Sequence, residues 1–73
     1  MCFRLAHYPA CPTQAVSCIA EHVDPGCLKR VGYDIARNLG DPDALWQQAV
    51  TPGTLLEMRC RNGHALTIEP IRN

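Results

Sequence analysis

Cys18 and His22 stand four residues apart, with Cys11 before them and Cys27 after them. On a helix, positions i and i+4 share a face, so this thiol and this imidazole would converge, and the two flanking cysteines could close in from the helix ends. Thiolates and imidazoles arranged tetrahedrally are zinc ligands, which makes Cys11, Cys18, His22 and Cys27 the first-choice metal set. Their spacing matches no common zinc finger. The plainer expectation is that no cofactor binds, with Cys18 a small buried apolar residue and His22 solvated near a helix C-terminus. Cys60 and His64 form a second pair, opposed across a predicted hairpin, but two ligands alone make a weak site. Catalysis is not expected: a Cys-His nucleophile needs a third orienting group and an oxyanion site, and neither a Gly-rich phosphate loop nor H-E-x-x-H occurs.

The chain that must position these groups has 73 residues, which fits one domain and leaves little apolar surface to bury. Disulfides, a metal or a partner subunit are the usual supports at this size. Seven Lys plus Arg balance seven Asp plus Glu, and the sequence pI is near 6.8, so nucleic-acid binding requires a local patch of charge. Apolar runs are short, and the five cysteines form an odd set without a secretory segment. Reduced thiols in a cytoplasmic protein that does not engage membranes are therefore expected.

Residues 1–12 read as an irregular or strand-like entry, since Phe3, Leu5 and His7 alternate with Arg4 and Ala6 before Pro9 and Pro12 interrupt. From Thr13, apolar Val16, Ile19, Ala20 and Val23 recur at helical spacing, and Asp24-Pro25-Gly26 would stop that helix. Residues 31–40 fit both periods. Alternation of Val31, Tyr33 and Ile35 suggests a strand, whereas Ile35 and Leu39 with Gly40 at the C′ position suggest a helix from about Tyr33, which is the preferred reading. Asp41-Pro42 looks like an N-cap and first helical residue, leading a helix through Ala44, Leu45, Trp46, Ala49 and Val50. Thr51-Pro52-Gly53 is turn chemistry.

Residues 55–69 carry the clearest local signal, a β-hairpin turning at Asn62-Gly63. A two-residue loop would set Glu57 opposite Ile68. A three-residue loop, Arg61-Asn62-Gly63 with Gly63 left-handed, instead pairs Met58 with Leu66 and Leu56 with Ile68, giving one continuous apolar face. Glu57, Arg59, Thr67 and Glu69 then share the opposite face.

From Lys29 onward the chain resembles the antitoxins of the MazE and AbrB superfamily. The residues that carry the likeness are Lys29-Arg30-Val31-Gly32, Ile35-Ala36-Arg37, Pro42 with Leu45, Thr51-Pro52-Gly53-Thr54, and Asn62-Gly63 before Leu66-Thr67-Ile68-Glu69-Pro70-Ile71-Arg72. Asn38-Leu39-Gly40-Asp41 departs from the pattern, and residues 1–28 lie outside it. The elements read along the chain make an α+β domain of short helices followed by a C-terminal hairpin; the resemblance implies hairpins exchanged in a homodimer, operator DNA bound through Lys29, Arg30 and Arg37, and a toxin as a protein partner. Residues 34–45 are also similar to a helix-turn-helix, making a winged helix one alternative, although Asp41 and Asp43 would repel phosphates at the start of its recognition helix. Thr51-Pro52-Gly53-Thr54 entering a strand looks like part of FeoA-type small barrels, which makes the competing function a protein-interaction or zinc-linked accessory module without DNA binding. A homodimer is expected on a second ground: so small a chain should leave Leu45, Trp46, Leu56, Met58, Leu66 and Ile68 partly uncovered.

Overall fold

A computed structural model describes residues 2–11 and 13–71; Met1, Pro12 and Arg72, which belong to the predicted entry strand and the family-like ending, lie outside them. Among the described residues the fold is α+β, with one α-helix and a five-stranded antiparallel sheet. The strands are β1 (Cys2–Tyr8), β2 (Ser17–His22), β3 (Gln47–Gln48), β4 (Leu56–Arg59) and β5 (Ala65–Ile71), and the helix α1 (Pro25–Asn38) follows β2. Their order across the sheet is β2-β1-β5-β4-β3.

The hairpin has the expected register. Met58 faces Leu66, Leu56 faces Ile68, Gly63 has φ 83°, and a short 3₁₀ turn spans Arg61–Gly63. β5 then continues along β1 for seven paired residues, with Leu5 opposite Ile68 and His7 opposite Leu66. Two strands therefore precede the helix, where an irregular or strand-like entry and then a first short helix were expected.

The expected helix at residues 13–23 is replaced by β2, and a β-bulge accounts for the misleading pattern. Leu5 pairs with Ala20 and Ala6 with Cys18, which leaves Ile19 as the extra residue. That insertion breaks the two-residue alternation and produces spacings of three and four that imitate a helix. Asp24-Pro25 starts a helix and does not stop one: the Asp24 carboxylate accepts a hydrogen bond from the Gly26 amide at 2.9 Å, and Pro25 occupies the first turn, where its missing N–H costs nothing.

α1 buries Leu28, Gly32 and Ala36, one face at spacings of four. Its end is a Schellman motif: the Gly40 amide donates to Arg37 O at 3.1 Å and the Asp41 amide to Ala36 O at 2.9 Å, with Gly40 at φ 88°. Gly40 thus takes the position expected of it. The predicted helix after Asp41-Pro42 does not form. Residues 42–43 make a turn, Trp46 docks on α1 with its Nε1 donating to Lys29 O at 3.0 Å, and Gln47–Gln48 pair with β4. Tertiary contacts override the local cap signal there, and the winged-helix alternative loses its second helix.

α1 covers one sheet face, against which Leu5, Met58, Leu66 and Ile68 have no exposed surface. Complete burial of each such side chain contributes about 1.5–3 kcal/mol. The argument for a dimer from uncovered apolar surface weakens accordingly: Met58, Leu66 and Ile68 are buried within a single chain, Trp46 and Leu56 are half-buried, and Leu45 stays exposed.

Candidate functional site

Lys29, Arg30 and Arg37 all lie on α1. Arg30 and Arg37, seven residues apart and so nearly in line, are exposed on the side away from Leu28, Gly32 and Ala36. Lys29 is half-buried on the flank that meets Trp46. Lys29 and Arg30 border a shallow groove with Asp24, Gly26, Cys27 and Tyr33. Arg37 sits 3.8 Å from Asp34, an exposed i,i+3 pair worth little to stability but enough to dilute the positive ridge.

The four first-choice metal residues are dispersed. Cys18 and His22 sit four positions apart on a strand, roughly 13 Å along it, and the helix that would have joined them is absent from that segment. Cys18 is exposed, which also corrects the expectation that it is buried. His22 Nδ1 accepts the Asp24 amide at 2.8 Å, Cys27 Sγ lies 3.9 Å from Asp24 Oδ2, and Cys11 Sγ contacts Thr13 Oγ1 at 2.9 Å. The Thr13 hydrogen bond lowers the Cys11 thiol pKa. Among the described residues no three His, Cys, Asp or Glu side chains gather as a metal site.

Around the hairpin tip the geometry is tighter. The Cys60 amide donates to His64 O at 2.8 Å, so the pair is opposed as expected. Cys60 is buried at the edge of the core; burial first, then the Asp41 charge, push its thiol pKa up, which is unfavourable for a nucleophile. Asp41, the buried carboxylate delivered by the end of α1, accepts the Arg61 amide at 2.9 Å and so ties the tip to the helix. His64 is half-buried, with its Nδ1 2.9 Å from Nε2 of His7.

On the sheet face that α1 leaves uncovered, Glu69 Oε2 accepts Arg4 Nη2 at 3.0 Å, while Glu69 Oε1 accepts Tyr8 OH at 3.0 Å and Thr67 Oγ1 at 2.8 Å. Burial alone would raise the Glu69 pKa, but these hydrogen bonds and the Arg4 charge together hold it below the usual carboxylate value. Beside this network a cleft of about 480 Å³ is lined by Tyr8, Glu57, Arg59, Cys60, His64 and Thr67 among others. Alternation in the sequence is enough to find the polar face, but neither the network nor the cleft, because both depend on β1 lying beside β5. The one available signal was the alternation of Phe3, Leu5 and His7, which sets His7 on the face of Leu66.

No helix among the described residues is long and apolar enough to cross a membrane. No protein family, curated protein or solved structure matches this chain.

Proposed function

We propose that the protein is a small, non-enzymatic DNA-binding transcriptional regulator of the antitoxin kind, acting as a homodimer with α1 as its contact element. The observation that carries this reading is the alignment of Arg30 and Arg37 on the exposed ridge of α1, with Lys29 on its flank. A chain of zero net charge binds phosphates only where its positive groups are segregated, and these three make up part of a set of just seven. Two-fold symmetry doubles the ridge and presents it to paired half-sites. Exchange of hairpins between subunits, which the AbrB-type resemblance implies, would require the seven-residue ladder of β5 on β1 to re-form between chains.

Gel filtration with light scattering, followed by titration of duplex DNA at increasing salt, tests the proposal. Binding should weaken steeply with salt, and Arg30→Ala should lower the log-log slope by about 0.9 for each phosphate that is no longer neutralised, or about 1.8 in a dimer. A monomer that ignores DNA at low salt sinks the reading. The accessory-module alternative then takes precedence, favoured by the cleft on the uncovered sheet face beside Tyr8, Arg59 and His64. A toxin-type protein is the partner class that the antitoxin resemblance implies.

A further inference from the structure

The contact between His7 and His64 has a specific geometry. The ring centroids are 5.1 Å apart, the planes differ by 14°, and Nε2 of His7 lies 2.9 Å from Nδ1 of His64. Rings stacked face to face at ordinary van der Waals separation could not bring those nitrogens so close. The centroid distance nearly equals the nitrogen–nitrogen distance plus one ring radius at each end, so both nitrogens lie almost on the line of centres and the rings are close to coplanar. This is an in-plane N–H···N hydrogen bond, in which one ring donates and the other accepts. At 2.9 Å the two nitrogens also leave no room for a metal between them.

We propose that His7 and His64 form a proton-sensitive latch, which holds the hairpin tip against the end of β1 and releases it when both rings are protonated. With two neutral rings, or with one charged ring, a proton remains available to one nitrogen and a lone pair to the other. Two imidazolium rings both donate, lose the bond and repel. The latch sits where release has consequences, because His64, Cys60 and Tyr8 border the cleft on the uncovered face, so loosening the tip changes the shape of that cleft.

The surroundings favour the neutral state of His7. Burial first, then the charge of His64, hold its pKa below the ordinary 6.5. Ser17, its partner on β2, is uncharged. On β5, Leu66 opposes it, and Tyr8 points to the other sheet face. Arg61 pairs with both Asp41 and Asp43, and on α1 Arg30, Asp34 and Arg37 are exposed while Lys29 flanks Trp46. None of these charges shifts His7. Since the folded value lies below the unfolded one, the unfolded chain takes up the proton first. The stabilisation is therefore complete above about 6.5 and is lost as pH falls through that value toward the lowered one.

Thermal unfolding of the wild type, His7→Gln, His64→Gln and His22→Gln between pH 7.5 and 5.0 tests the latch. The wild type and His22→Gln should lose about 5 °C more across that range than either latch variant. Long-range proton–nitrogen spectra of the wild type at pH 7.5 should show opposite protonation at His7 Nε2 and His64 Nδ1, and exchange of the Cys60 amide should accelerate at pH 5.0 while β2 is unchanged. Equal pH slopes in all four proteins, or two rings that titrate independently, would overturn the proposal. Should the latch variants fail to fold, the wild-type spectra and amide exchange decide it alone.

Discussion

Leu66→Ala should destabilise the protein by about 3–5 kcal/mol, the range for deleting a fully buried leucine side chain from a packed core. A chain of this size holds only about 4–11 kcal/mol in total, so the variant should be largely unfolded by modest denaturant. Leu66 has no exposed surface and sits on β5, between Met58 of β4 and His7 of β1, under the cover of α1. Neither neighbouring strand can collapse into the space without breaking its own ladder, so most of the cavity term should remain. Urea unfolding measures the change. Leu45→Ala is the internal comparison: its side chain is 65% exposed, and removing it should change stability by less than about 0.5 kcal/mol. Similar midpoints for the two variants would contradict the placement of the core.

Gly32→Ala should lower stability by about 1–2 kcal/mol, although alanine is normally preferred to glycine within a helix by about 1 kcal/mol. The reason is Trp46. A Cβ built on Gly32 overlaps Cζ2 of the indole and comes within 3.0 Å of Cε2, so the ring must leave its seat against α1. Moving the ring also breaks the hydrogen bond from Nε1 to Lys29 O. An overpacking cost of about 1–3 kcal/mol together with that broken bond outweighs the gain in propensity. The chain has a single tryptophan, so its fluorescence reports the displacement directly, and a red-shifted native emission should accompany the lower urea midpoint. A stabilised variant with unchanged emission would show that the indole does not rest on Gly32.

The contrast between these two sites shows where local sequence is informative. Leu66 was legible because a hairpin is a local object: Gly63 sets the turn, the turn sets the register, and a slip by one residue would turn the apolar side chains to the wrong face. The C-terminal cap at Gly40 was legible for the same reason. Gly32 was not, since its role depends on an indole fourteen residues later that reaches it only through the turn after Asp41 and the pairing of β3 with β4. The two Asp-Pro pairs make the point from another side. Both carry the same cap signal, yet the helix forms only after Asp24, where an apolar face at Leu28, Gly32 and Ala36 follows. At Asp41 the carboxylate is taken by the Arg61 amide instead.

The candidate site divides along the same line. Lys29, Arg30 and Arg37 lie on one helix because α1 begins at Pro25, eight residues before the start near Tyr33 that the periodicity suggested. The premise of the zinc set, Cys18 and His22 on one helical face, rested on spacings that a β-bulge imitates. His7 and His64, 57 residues apart, meet through the β1–β5 ladder, and no local pattern encodes that pairing.

The most direct test of the central claim is a map of backbone amide shifts in labelled protein titrated with duplex DNA at low salt. The account predicts that the changes concentrate on α1, at residues 27–37, that Arg30→Ala and Arg37→Ala each diminish them, and that added salt reverses them. Changes confined to Tyr8, Glu57, Arg59, His64 and Thr67 around the cleft, or none at all, would contradict DNA binding through α1.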